Sequence, residues 1–105
     1  MASCDHLEAV TITELPDTIA GCEDCLAVGG VWCHLRICLS CGHVGCCDSS
    51  PGRHASAHAA ATGHPLIRSV QPGEDWSWCF VDNAMLRIRG VTGEPSIPPS
   101  PMGCP

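Results

Sequence analysis

Two Cys-x2-Cys pairs, Cys22/Cys25 and Cys38/Cys41, precede three histidines, His54, His58 and His64. Two thiolates separated by two residues converge in one tight turn, and imidazoles can complete a tetrahedron around them. This is the donor chemistry of a structural zinc site. Cys4 and His6 form a third, looser pair, and Cys46 and Cys79 are further sulfur donors. The competing chemistry for ten cysteines is a disulfide framework. That reading leaves six histidines without a role. The opening stretch from Met1 to His6 has no basic region followed by an apolar run, so it does not read as a secretory signal. The expectation is a cytoplasmic chain whose reduced thiols hold metal.

One grouping of these residues matches a ββα DNA-binding finger. Cys38-x2-Cys41 is followed after twelve residues by His54-x3-His58. Such a finger needs an aromatic residue and a Leu within the twelve, and GHVGCCDSSPGR contains neither. The helix that would read bases carries Ala-Ser-Ala between its two histidines and is not basic. Net charge is −6 with only five Arg and no Lys, which disfavours phosphate backbones and anionic membranes. No apolar run approaches the length of a membrane span.

The elements that must position these donors are short. Leu, Ile, Val and Phe make up 21 of 105 residues, so little apolar surface is available and metal must supply part of the folding free energy. Residues 53–62 read as the main helix: Ala-rich, with Pro51 just before it and Gly63 and Pro65 to stop it. Residues 30–39 alternate as a strand, residues 10–13 are a weak strand candidate, and 66–70, 76–81 and 85–88 are further strands. Residues 21–25 read as a tight turn and 41–52 as turn and loop. The fold class expected is α+β, a small zinc-stapled domain with a twisted antiparallel sheet packed on that one helix. Residues 1–90 form the domain, and the Pro-rich residues 91–105 a disordered tail.

The full pattern resembles the UBP-type zinc finger of ubiquitin-specific proteases and some deacetylases, in the variant of small stand-alone bacterial proteins. The resemblance spans about residues 4–88. It rests on Cys4-x-His6, Cys22-x2-Cys25, Cys38-Leu39-Ser40-Cys41, Val44-x-Cys46, His54-x3-His58-x5-His64-Pro65-Leu66 and Trp78-Cys79-Phe80. It implies interleaved sites: Cys22, Cys25, Cys46 and His54 in one, and Cys38, Cys41, His58 and His64 in a second. A third would be Cys4, His6, Cys79 and Asp82, the last standing where three-zinc relatives have Cys. Three Zn²⁺ are expected, and two at minimum. Cys47 is the alternative to Cys46. His34 and His43 read as loop or surface residues, Cys33 as a small core residue and Cys104 as incidental.

In that family the finger receives a free C-terminal tail ending in Gly-Gly, between aromatic walls and beside a carboxylate-binding Arg. Trp78 and Phe80 match the pocket aromatics and read equally as pocket or core. The position of the Arg is held by Asp48, so Arg36 or Arg53 is the candidate replacement, and usual ubiquitin binding is not expected. The resulting expectation is a monomeric, non-catalytic zinc module that recognises a protein or peptide tail. The alternative is a thiol-based metal or redox sensor, on the strength of Cys46-Cys47, Cys33 and Cys104. A zinc hydrolase is disfavoured, because no His-Glu-x-x-His stretch exists and Ala fills the helix where a base would stand.

Overall fold

The computed structural model describes residues 6–104. Five short strands, β1 (Leu35–Cys38), β2 (Val44–Cys46), β3 (Leu66–Ser69), β4 (Ser77–Cys79) and β5 (Ala84–Leu86), form one antiparallel sheet in the order β2-β1-β3-β4-β5. Two helices, α1 (Glu23–Val28) and α2 (His54–Thr62), pack against β2, and α2 also reaches β1. The α+β expectation holds. Among the described residues no helix is long and apolar enough to cross a membrane.

Strand register divides the sheet into two faces, because successive side chains point to opposite sides. Leu35, Ile37, Val44, Cys46, Leu66, Cys79 and Leu86 fall on one face by their pairing, and all are buried. With Trp32, Leu15, Ile19 and Val91 they build the core. Arg36, Ile67, Ser69, Trp78 and Met85 share the opposite face. Gly45 pairs with Arg36 on this second face, and α2 passes so close that a Cβ on Gly45 would lie 2.7 Å from the Ala55 nitrogen. The absent side chain is what lets the helix approach.

Helix α2 begins one residue later than expected, at His54. Arg53 precedes it with φ 44°, a left-handed conformation that costs a non-glycine residue energy. Gly63, at φ 77°, ends the helix and donates its N–H to the Ala59 carbonyl. Three local expectations need correction. Residues 23–28 form a helix and not a simple turn, with Cys22 as N-cap accepting the Cys25 N–H. Strand β2 occupies part of the expected loop, carried by pairing to β1 that its Gly-containing sequence does not advertise. Residues 30–34 stay outside the sheet, so β1 is shorter than the alternation suggests.

The tail expectation also changes. Beyond Gly90 the chain runs parallel to residues 13–19. Thr92 donates to the Thr13 carbonyl at 2.9 Å, and Leu15 donates to the Thr92 carbonyl at 2.8 Å. Ser96 and Ile19 repeat the arrangement further along, with Ser96 donating to Asp17 and Ile19 to Ser96. Val91 is buried, Ile97 packs on the core, and a disulfide joins Cys104 to Cys33. Backbone pairing adds to the small apolar burial that Val91 and Ile97 give this Pro-rich segment. Residues 10–13 make no strand, although Thr11 and Ile12 both donate to the Leu39 carbonyl.

Candidate functional site

The first expected donor set is assembled by three elements. Cys22 and Cys25 come from the start of α1, Cys46 from the end of β2, and His54 from the first residue of α2. His54 Nδ1 lies 3.3 Å from both Cys22 Sγ and Cys25 Sγ, and 3.5 Å from Cys46 Sγ. The Cys25 and Cys46 sulfurs are 3.9 Å apart. Zinc–sulfur bonds of about 2.3 Å and zinc–nitrogen bonds of about 2.0 Å place tetrahedral donor–donor edges at roughly 3.3–3.8 Å. The cluster fits that figure. The backbone N–H of Cys25 points at Cys22 Sγ and that of His54 at Cys46 Sγ, which orients sulfur lone pairs inward. Burial, with the neighbouring Cys22 and Cys46 thiols, pushes the Cys25 thiol up to about 12. Thiols so crowded ionise only when a cation replaces their protons.

The second set joins Cys38 at the end of β1 with Cys41, His58 and His64. Cys38 Sγ is 3.4 Å from His64 Nδ1, and Cys41 Sγ is 3.3 Å from His58 Nε2. His54 and His58, one helical turn apart, therefore face different clusters, as the interleaved arrangement requires. Burial and the imidazoles of His43 and His64 hold His58 below its ordinary pKa, which keeps the ring in its metal-binding neutral form.

His43 is a site residue that spacing alone does not reveal. Its ring stacks on His58 at 4.5 Å, and its Nε2 lies 2.7 Å from Asp24 Oδ2. Glu23, beside Asp24 in α1, accepts the Val44 N–H at 2.6 Å. The acidic start of α1 thus ties the two clusters together. The available signal was the Glu23-Asp24 pair inside the first knuckle.

His6, Cys79 and Asp82 form the third group. His6 Nδ1 is 3.2 Å from Asp82 Oδ2 and 3.5 Å from Cys79 Sγ. Cys4, the expected partner, lies outside the described residues. A fourth group, Cys33, His34 and Cys47, has donor atoms all within 4.8 Å of one another. Cys33 is neither a plain core residue nor Cys104 incidental, since the two are bonded. Burial raises the Cys47 thiol. The Ser50 hydroxyl, the backbone of His34 and Ser49, and Arg36 outweigh that effect and leave it below the ordinary value.

On the second face of the sheet lies a cavity of about 290 Å³. Trp76, Trp78, Phe80, Ile67, Met85 and Ala55 give it apolar walls, so Trp78 and Phe80 are cavity residues. Arg36 lines it too, with its guanidinium 4.5 Å from the Trp76 ring centroid. Arg36 donates to the Leu35 carbonyl at 3.0 Å and to Ser69 Oγ at 3.3 Å, and Glu74 lies 3.9 Å away. Burial lowers the Arg36 pKa, while Cys47, Glu74 and Asp48 push it back up. Asp48, also in the cavity wall, accepts a hydrogen bond from Ser56 of α2. Arg53 does not line this cavity; it borders an adjoining depression with Gly52 and Ala57, which shares Asp48 and Ser56 with the cavity wall.

Comparison with known proteins agrees with this geometry. Residues 22–89 match the family described as "Zn-finger in ubiquitin-hydrolases and other protein". The chain is similar to the solution NMR structure of protein RPA1320 from Rhodopseudomonas palustris. The two share 43% identity over 96% of this chain and 98% of that one, with a TM-score of 0.77. No curated protein matches.

Proposed function

The chain belongs to the zinc-finger family found in ubiquitin hydrolases, and from that premise we propose that it is a non-catalytic, zinc-stabilised module that recognises the free C-terminal tail of a protein or peptide. The observation that carries this reading is Arg36, held against Trp76 in the wall of an aromatic cavity. A stacked guanidinium is a rigid, permanently charged fork suited to a carboxylate. Aromatic faces suit an extended backbone without bulky side chains, and the cavity volume is near the low end for ligand sites, about 300 Å³. Asp48 adds an acceptor for the tail's amide N–H groups. An acid there, where the family resemblance implies Arg, favours a tail other than that of ubiquitin. Two of the donor clusters each offer four protein atoms, the number a closed structural zinc site takes, which supports a non-catalytic role.

Calorimetric titration with Gly-Gly-ending peptides, as free acid and as amide, tests the proposal. Hydrogen bonds to a charged group contribute about 1.5–3 kcal/mol, so the acid should bind about 10- to 150-fold more tightly. Arg36→Ala should erase that preference. Equal affinity for acid and amide, or no binding of either, refutes the carboxylate reading.

A second reading, a thiol-based redox sensor, is favoured by the Cys33–Cys104 disulfide beside Cys47. A reversible change in peptide affinity on mild oxidation supports it; unchanged affinity removes it.

A further inference from the structure

The Cys33–Cys104 disulfide ends against two more donors, His34 and Cys47, neither of which belongs to the three expected zinc sites. Cys33 Sγ, a His34 ring nitrogen and Cys47 Sγ already lie within 4.8 Å of one another. Cys104 Sγ is bonded to Cys33 Sγ, so a fourth donor shares the same space. Three sulfurs and one imidazole repeat the composition of the Cys22, Cys25, Cys46 and His54 set.

The scaffold holds the first three donors independently of the tail. Cys47 donates its N–H to the His34 carbonyl at 3.0 Å, and Cys33 donates its N–H to Ser50 Oγ at 2.8 Å. Ser50 donates its N–H back to the Cys47 carbonyl at 3.0 Å. Residues 33–34 and 47–50 are thereby one rigid unit. The tail delivers Cys104 through Ser100, whose hydroxyl donates to the Trp32 carbonyl at 2.9 Å.

We propose that Cys33, His34, Cys47 and Cys104 form a further zinc site that becomes available when the Cys33–Cys104 disulfide is reduced. In the oxidised chain Cys33 and Cys104 are bonded to each other, and two donors are too few for a closed tetrahedral site. A dithiol reductant supplies two electrons and two protons. The S–S bond breaks, Cys33 and Cys104 become thiols, and the dithiol closes to its own disulfide. Zn²⁺ then displaces three thiol protons and takes three thiolates and one neutral imidazole. His34 and Cys47 also line the aromatic cavity, so this ion would sit in its wall. The proposal does not depend on what the cavity binds.

Zinc per chain, measured by elemental mass spectrometry on the full-length protein, tests it. One sample is oxidised with glutathione disulfide and one reduced with a phosphine. Intact mass and peptide mapping confirm that only the Cys33–Cys104 bond differs between them. The reduced protein should carry one zinc ion per chain more than the oxidised protein, whatever number the other sites hold. Cys47→Ser and Cys104→Ser should each hold only the zinc of the oxidised wild type under reduction. Equal zinc in the two wild-type samples overturns the site, a comparison that needs no variant to fold. Retention of the extra ion by Cys104→Ser overturns the four-donor assignment.

Discussion

Acidification should weaken the two closed zinc clusters at different rates, because they contain different numbers of thiols. Cys22, Cys25 and Cys46 meet His54 in one; Cys38 and Cys41 meet two imidazoles in the other. Burial pushes Cys22, Cys25 and Cys38 upward, Cys25 to about 12, so without metal these thiols keep their protons at neutral pH. Each thiolate that binds zinc must then expel one proton. Above the imidazole range, around pH 6.5, affinity therefore changes by about three decades per pH unit in the first cluster and about two in the second. From about pH 7.5 to 6.5 the expected losses are about 4 and about 3 kcal/mol. In the second cluster, burial and the neighbouring imidazoles hold His58 below its ordinary value, so its protonation enters only at lower pH.

The sign for folding follows from linkage. Zinc depresses the folded-state pKa of its thiolates, so their stabilisation is present above the unfolded thiol value and is lost as pH falls through the folded one. A metal-free fold would behave oppositely. Its raised Cys25 would contribute stability below the ordinary thiol range and lose it as pH climbs toward about 12. Competition with a chromophoric chelator at stepped pH, corrected for the chelator's own protonation, reads the two slopes. Cobalt substitution identifies each step by its thiolate charge-transfer band. Equal slopes, or a three-thiolate cluster that loses only two decades per unit, refutes the ligand sets.

Other perturbations probe separate parts of the site. Gly45→Ala would drive a Cβ to within 2.7 Å of the α2 backbone at Ala55, so the helix must shift and the mutant should lose about 1–3 kcal/mol in chemical denaturation, with weaker zinc retention at His54. Asp82→Ala should lower zinc per chain by one if the His6, Cys79 and Asp82 group holds an ion; an unchanged count assigns Asp82 to the His6 contact alone. His43→Ala removes the ring stacked on His58 and its contact with Asp24, and should speed zinc release about 10- to 100-fold from the second cluster while sparing the first.

The Cys-x2-Cys pairs were legible because their spacing is local. The grouping into sets of four was not, since spacing alone joins His54 with His58. It was the family resemblance that implied the interleaved sets in which they serve different clusters. Strands β3 to β5 were legible as short segments around the Gln71-Pro72-Gly73-Glu74 turn, and α2 from its Ala run and Gly63 stop. Strand β2 was not, because Val44-Gly45-Cys46 is short and its Gly serves the helix above it and not the strand. The tail was misjudged for a related reason. Its composition is that of an unfolded segment, yet Thr92 and Ser96 find backbone partners at residues 13–19, some eighty positions away. A contact made by main-chain groups leaves no trace in side-chain pattern. Cys33 and Cys104, separated by 71 residues, are invisible to spacing in the same way. Arg36 and Arg53 were equivalent in sequence, and only strand register places one of them on the cavity face.

The cavity is in turn a product of the metal clusters. Helix α2 forms its far wall through Ala55 and Ser56, yet has little means of staying in place by itself. It is nine residues long, below the length at which an isolated helix is stable. Arg53 at its start offers no side-chain cap, and only Ala55 and Ala59 are buried. Two methyl groups contribute about 1–2 kcal/mol at roughly 0.8 kcal/mol per buried carbon, well short of what ordering nine backbone residues costs. His54 at one end and His58 in the middle supply the remaining anchorage, each in a different cluster. Loss of either ion would free α2 to rotate or fray, and the wall opposite Trp78 and Arg36 would open. On the proposed reading, tail binding and zinc occupancy would be linked, because a ligand that needs both walls must tighten zinc by the same factor by which zinc tightens it.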